Sequence, residues 1–198
     1  MTQTSQSNKF ECQIENEKIV NGVNVTKLIE ATDTVKSNRE YSKFNFSAKG
    51  KWADGGHNFT TINEFYGICQ THRRDESFIY QIDEPPVLLG KDKGANPVEY
   101  VLTSLNGCLI TTFIYLASEQ GVKVEEVETS ITGNLDILGL LGLSKEVRNG
   151  YEKINVVFRV KSNAPKKKIK ELVELAQQRS PVFDIITNPT PVHVVLHE

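Results

Sequence analysis

Residues 96–121 read NPVEYVLTSLNGCLITTFIYLASEQG, and this stretch decides the fold. Asn96 suits a helix N-cap, Pro97 the first helical position and Glu99 the capping-box position. Gly121 stops the helix after Gln120. At 1.5 Å per residue the predicted helix is about 36 Å long. Tyr100, Val101, Leu105, Leu109, Phe113 and Leu116 surround much of its axis, with small residues between them. A surface helix needs a broad polar face, so this one is central. In a small chain a second subunit is one way to bury it, although the pattern alone does not require one.

Outward from the helix, the pattern changes from block to block. Residues 1–9 read as a loose tail, and Leu28, Ile29, Ala31, Thr32 and Val35 mark a short amphipathic helix over 25–37. Phe44, Phe46, Ala48 and Trp52 share one face of a strand, with Gly50 marking a bend or bulge. Asp54-Gly55-Gly56 predicts a tight hairpin turn, followed by a return strand through Phe59 and Ile62. Phe78, Tyr80 and Ile82 make a third strand, stopped by Pro85-Pro86 ahead of an ordered loop. Beyond the central helix come strands at Val127–Ile131 and Ile154–Val160, with an apolar loop or short helix at Ile137–Leu143. A second amphipathic helix starts near Pro165 and is interrupted at Ser180-Pro181. Val192, Val194 and Leu196 predict a last strand. Strands and helices fall in blocks without a regular βα alternation, which gives an α+β class.

The 198 residues suit one domain, and 38% hydrophobic residues suffice for a core. With 23 Lys plus Arg against 25 Asp plus Glu, no generic basic footprint for nucleic acid or an anionic membrane exists. Leu105–Ala117, the longest apolar candidate, falls short of the roughly 18 residues that span a bilayer. The polar start MTQTSQSNK lacks the apolar stretch of a secretory signal. Cys12, Cys69 and Cys108 form no CxxC and no disulfide framework. The expectation is a soluble cytoplasmic protein with reduced thiols, no nucleic-acid partner and no membrane.

Cys108 is the principal chemical candidate. As a nucleophile it needs a positive or hydrogen-bonding neighbour, whereas as a packing residue it needs none. It lies 12 residues past the cap, about three turns, where the helix-end field has faded, so folding must bring any activator from elsewhere. Val101, Ser104, Leu105 and Thr112 are its neighbours by helical spacing, whereas Glu99 faces away and serves as a cap. His57, just past the Gly-Gly turn, projects towards a site or packs. Cys69 and His72 are two possible metal ligands beside Arg73 and Arg74, short of the three or four that zinc requires. His193 and His197 lie about 13 Å apart in an extended strand and cannot share an ion. Neither a metal nor a resident cofactor is implied. Lys166, Lys167, Lys168 and Lys170 read as a solvated face beside Glu171 and Glu174. GxGxxG, GxxxxGK[ST] and GxSxG do not occur.

The run Asn96-Pro97-Val98-Glu99-Tyr100 through Asn106-Gly107-Cys108-Leu109 resembles the OsmC/Ohr superfamily. The similarity continues through Gly133-Asn134-Leu135-Asp136, Arg148-Asn149-Gly150-Tyr151 and Ser180-Pro181-Val182. It covers roughly 43–197, leaving 1–42 as an N-terminal tail and helical extension and 43–198 as the OsmC-like domain. The resemblance implies an α+β fold with long central helices packed against antiparallel sheets in an intertwined homodimer, with sites near the subunit interface. It also implies reduction of organic hydroperoxides, with Cys108 matching the peroxidatic cysteine. Ser180 stands where the family has its second, resolving cysteine, and a serine cannot form that disulfide. His57 is the nearest match to an arginine of the hydroperoxide-reductase branch, and Val98 matches its helix-start glutamate. A one-cysteine cycle then requires an external thiol reductant, with His57 or the Arg73-Arg74 pair stabilising the thiolate. Cys69 or Cys12 would have to be brought close by folding to resolve it. The alternatives are a non-catalytic OsmC-like protein binding a small apolar ligand, and a structural stress-response dimer.

Overall fold

A computed structural model describes residues 17–197, so the proposed loose tail and Cys12 lie outside the described residues. The described residues begin with a two-stranded hairpin, β1 (Ile19–Val20) and β2 (Val23–Asn24), that leads into α1 (Val25–Ser37). After one 3-10 turn come β3 (Asn45–Phe46), β4 (Lys49–Asp54), β5 (His57–Gly67) and β6 (Gln70–Ile82). The long helix α2 (Pro97–Glu119) follows, then β7 (Val124–Asn134), the short α3 (Ile137–Leu140) and β8 (Lys153–Ser162). Helices α4 (Lys166–Arg179) and α5 (Pro181–Thr187) complete the order. The α+β class is as the sequence predicts.

The cap of α2 forms as expected. Asn96 Oδ1 accepts from the Val98 N–H at 2.9 Å, and the Glu99 carboxylate accepts from the Asn96 N–H at 2.8 Å. At the far end Gly121 has φ +69°, and the Val122 N–H reaches back to the Ala117 carbonyl. By length and composition alone α2 is long and apolar enough to cross a bilayer, a test that a buried core helix also passes, whereas the sequence estimate counted only uninterrupted apolar residues. In the fold its C-terminal half is the centre of the domain. Phe113, Leu116 and Ala117 close a core with Leu172 and Ala176 of α4, over Val127 of β7 and Phe158 and Val160 of β8.

The resemblance motifs acquire physical roles around this helix. Thr129 of β7 donates to the Asn106 side-chain carbonyl. The Tyr151 hydroxyl donates to the Val98 carbonyl at 2.9 Å, and a Cβ on Gly133 would stand 2.6 Å from the Tyr151 ring. Burial, together with the Glu99 charge, raises the Tyr151 phenol above its ordinary value, which keeps that donor proton in place.

The first sheet is antiparallel, with β3 and β4 along one side of β5 and β6 along the other. Asp54 pairs with His57 across Gly55-Gly56, the predicted turn. Gly50, predicted to bend the strand, instead pairs in register with Thr60, and the irregularity falls between Trp52 and Asp54. Strand β6 also starts eight residues before the predicted Phe78, at Gln70. Ile68 and Cys69 make its turn with φ +50° and +58°, a left-handed conformation that costs a β-branched residue and carries no turn signature. Large apolar side chains of this sheet stand exposed: Phe46 is 72% exposed, Trp52 71% and Ile79 65%. The predicted strand at 191–196 does not form. No described strand lies alongside it, and Val192, Val194 and Leu196 stand exposed.

The first sheet is joined to α2 by the 83–96 loop, built around Asp83. Its carboxylate accepts from the Glu84, Lys91 and Lys93 N–H groups at 2.9, 3.1 and 3.2 Å. Gly90 and Gly94 are required for close approach, because a Cβ there would lie 1.7 Å from the Glu84 carbonyl oxygen and 2.0 Å from that of Gln81. Burial pushes the Asp83 carboxyl up, but the Lys93, Glu84 and Lys91 N–H groups together outweigh it and hold the group below the usual carboxylate range. A depressed folded-state value adds stability above the unfolded value, about pH 4, and that stability is lost as pH falls through the folded value. Asp83→Asn is therefore expected to lower the thermal midpoint by several degrees at neutral pH. The gap to the parent should close below about pH 4 in a pH series of melting curves. A gap independent of pH would contradict this account.

Candidate functional site

Cys108 sits mid-way along α2, and what meets it comes from the break between α4 and α5. Ser180 ends α4, and Pro181 prevents a simple continuation. The Ser180 hydroxyl oxygen accepts from the Phe183 N–H at 3.1 Å, capping α5, and its proton is donated to Cys108 Sγ at 3.0 Å. Ser180 is 1% exposed, so this contact is made away from solvent. The residue in the place of a second cysteine is thus in direct contact with the first.

On its other side the sulfur opens into a cavity of about 560 Å³. The α2 wall is one helical stripe from Cys108 through Thr111, Thr112 and Tyr115 to Glu119. Arg179 and Pro181 flank Ser180 on a second wall, and Leu28 and Thr32 of α1 form a third. Of the neighbours predicted from spacing, Thr112 shares the cavity. Ser104 donates instead to the Tyr100 carbonyl, and Val101 and Leu105 line a separate groove with Arg148 and Phe183. Glu99 is held by the cap, as its helical phase requires.

His57 is 6% exposed within the first sheet, with Nε2 3.2 Å from Gln81 Oε1 and its ring 4.7 Å from that of Phe59. It lines no part of the Cys108 cavity, so one chain does not bring the two predicted site residues together. Nor does it bring in the Arg73-Arg74 pair. Arg73 bonds to Glu64 at 2.9 Å, and Arg74 lies over the Phe65 and Phe78 rings and donates to the Asn63 carbonyl. Cys69 is exposed at the β5–β6 turn. Among the described residues no group of three His, Cys, Asp or Glu side chains is placed to hold a metal ion.

Arg179 is the cation that sequence reasoning missed. It precedes Ser180 directly, so the signal was present in the Ser180-Pro181-Val182 motif, but only the folded chain carries that break to Cys108. Among the described residues its guanidinium makes no hydrogen bond or ion pair. The arrangement can therefore present an anionic or polarised reactant with a sulfur and a guanidinium on adjoining walls, the sulfur being backed by the buried Ser180 hydroxyl.

A family described as OsmC-like protein matches residues 90–195. Among solved structures, the chain is similar to an OsmC-like protein from Mycoplasma pneumoniae, with 15% identity and a TM-score of 0.57. That match covers 73% of this chain and 89% of the other. It is likewise similar to an OsmC-like protein of unknown function from Vibrio cholerae, with 15% identity and a TM-score of 0.51 over 72% and 94% of the two chains. At these identities the likeness is one of fold. No curated protein matches the chain.

Proposed function

The chain belongs to the OsmC-like protein family, and from that premise we propose that it is a thiol-dependent peroxidase that reduces organic hydroperoxides through the single cysteine Cys108. The observation that carries this reading is the sulfur itself, opening into a largely apolar cavity while accepting a hydrogen bond from buried Ser180. A hydroxyl donor is complementary to a thiolate, and apolar walls suit an organic peroxide better than a hydrated one.

In the first step the Cys108 thiolate attacks the terminal peroxide oxygen. The S–O bond forms, the O–O bond breaks, and the departing alkoxide takes a proton to leave as the alcohol. Cys108 is then a sulfenic acid. Ser180 has no sulfur to resolve it, so an external thiol attacks Cys108, releasing water and leaving a mixed disulfide. A second thiol regenerates Cys108 and departs as the oxidised reductant. Arg179, on the cavity wall, supplies positive charge to the thiolate and the leaving oxygen. Reduced thiols are abundant in a cytoplasm, where this cycle is proposed to serve defence against oxidative stress.

The chain acts in this proposal as an intertwined homodimer, with 43–198 as the OsmC-like domain and 1–42 as its extension. Support comes from the exposed apolar side chains of the first sheet, from exposed Val101 on α2, and from exposed Val192, Val194 and Leu196 near the C-terminal end. His57 keeps its electrostatic role only in such a dimer. Light scattering on the eluting protein is expected to give about twice 22.2 kDa, and a single-chain mass would defeat the dimer.

The function is tested by intact-mass measurement after brief exposure to an organic hydroperoxide with a sulfenic-acid trap present. One rapid adduct per chain, located on Cys108 and absent from Cys108→Ser, is the expected result. Without it, the same cavity is better read as the binding site of a small apolar ligand in a non-catalytic protein. The missing resolving thiol favours that second reading.

A further inference from the structure

We infer that the N-terminal helix α1 is the substrate-selecting wall of the Cys108 cavity, held in place by a polar latch at Asn21. This rests on Cys108 being the reactive group of the cavity, as proposed above.

The latch begins with local chemistry. Asn21-Gly22 has φ +51° and +77°, the pair that closes a two-residue hairpin between β1 and β2. The turn places the Asn21 amide against the end of α2. Its Nδ2 donates to Ser118 Oγ at 3.1 Å and to the Val122 carbonyl at 2.9 Å, and its Oδ1 accepts from the Val124 N–H at 2.9 Å. One side chain thus makes three bonds to the end of α2 and the start of β7, about a hundred residues away in sequence. Ser118 is fully buried, and Val25, the first residue of α1 and four positions after Asn21, is 2% exposed. Asn24 then caps α1 by accepting from the Lys27 N–H.

Leu28 and Thr32 follow one turn apart on one face of α1, and both line the cavity. The Thr32 hydroxyl donates its proton to the Leu28 carbonyl at 2.8 Å, so that proton is not available to a ligand. Across from them runs the α2 stripe that starts at Cys108 and ends at Glu119, eleven residues or about 16 Å along the helix axis. The cavity is therefore a trough between two helices, with the reactive sulfur and Arg179 at one end. Such a trough discriminates by length and bulk: an elongated apolar molecule gains contacts along α1, and a small hydrated one gains none. Residues 17–37 lie outside the 90–195 match to the family.

The test reads the wall without requiring peroxide turnover. In a Cys12→Ser, Cys69→Ser background, Cys108 is labelled with N-ethylmaleimide and with N-octylmaleimide, and the ratio of the two rates is recorded. Leu28→Trp is expected to slow the octyl reagent relative to the ethyl one by about tenfold, and Asn21→Ala to erase most of the parent's discrimination. Ile29→Ala, on an exposed position of the same helix, controls for loss of helix and should leave the ratio unchanged. Circular dichroism confirms that each variant is folded. Ratios within about twofold of the parent in both Leu28→Trp and Asn21→Ala overturn the inference. Shifted ratios with no sulfenic acid on Cys108 would sustain the wall and remove the peroxidase reading, so the two failures are distinguishable.

Discussion

Replacing Cys108 with serine is expected to reduce peroxide-dependent oxidation of an added thiol to background, a loss of at least about a thousandfold. The substitution keeps the shape of the side chain and a hydrogen-bonding partner for Ser180, but a serine hydroxyl is not ionised near neutral pH and cannot become a sulfenic acid. Among the described residues no second thiol lines the cavity to take over the attack. Cys69 provides the internal control: it is exposed at the β5–β6 turn, and Cys69→Ser should leave turnover within about twofold. The measurement is the initial rate of thiol consumption with a fixed alkyl hydroperoxide, corrected for the uncatalysed reaction. Unchanged turnover in Cys108→Ser would sink the one-cysteine cycle outright.

Ser180→Cys should change the chemistry rather than abolish it. The Ser180 oxygen already stands 3.0 Å from Cys108 Sγ, so a sulfur in its place is within reach of a disulfide after a small rotation of either side chain. Peroxide treatment is then expected to give an intramolecular disulfide between positions 108 and 180, with a mass loss of about 2 Da, in place of the trapped sulfenic adduct. Turnover should shift from monothiol to dithiol reductants, because the oxidised species is now a protein disulfide. The substitution weakens the α5 cap, at a cost of roughly 0.5–2 kcal/mol. Persistence of the trapped adduct in a folded variant would mean that positions 108 and 180 do not meet in solution as they do here.

The parts of this molecule that were legible in the sequence are those whose determinants lie within one turn of each other. The α2 cap needs only Asn96, Pro97 and Glu99, and its stop needs only Gly121. The α4 break needs only Ser180-Pro181. Long-range and unusual local solutions were not legible. Ile68-Cys69 adopts a turn that the surrounding ladder imposes on residues with no preference for it, so the start of β6 was placed too late. The segment 191–196 has the alternation of a strand but no partner strand among the described residues. The Ser180–Cys108 bond joins residues 72 positions apart, and no spacing rule anticipates it. Arg179 and the Asn21-Gly22 hairpin were in plain view, but what each touches depends on the tertiary fold.

Helix α2 divides its labour by face. Leu105, Leu109, Phe113 and Ala117 recur every fourth residue and are buried, while Cys108, Thr111, Thr112 and Tyr115 look into the trough. Substitutions on the second face alter what can be bound without opening a hole in the first. Such a helix gives a lineage room to explore new ligands at little risk to folding, because the positions that are free to vary are not those that keep the chain stable.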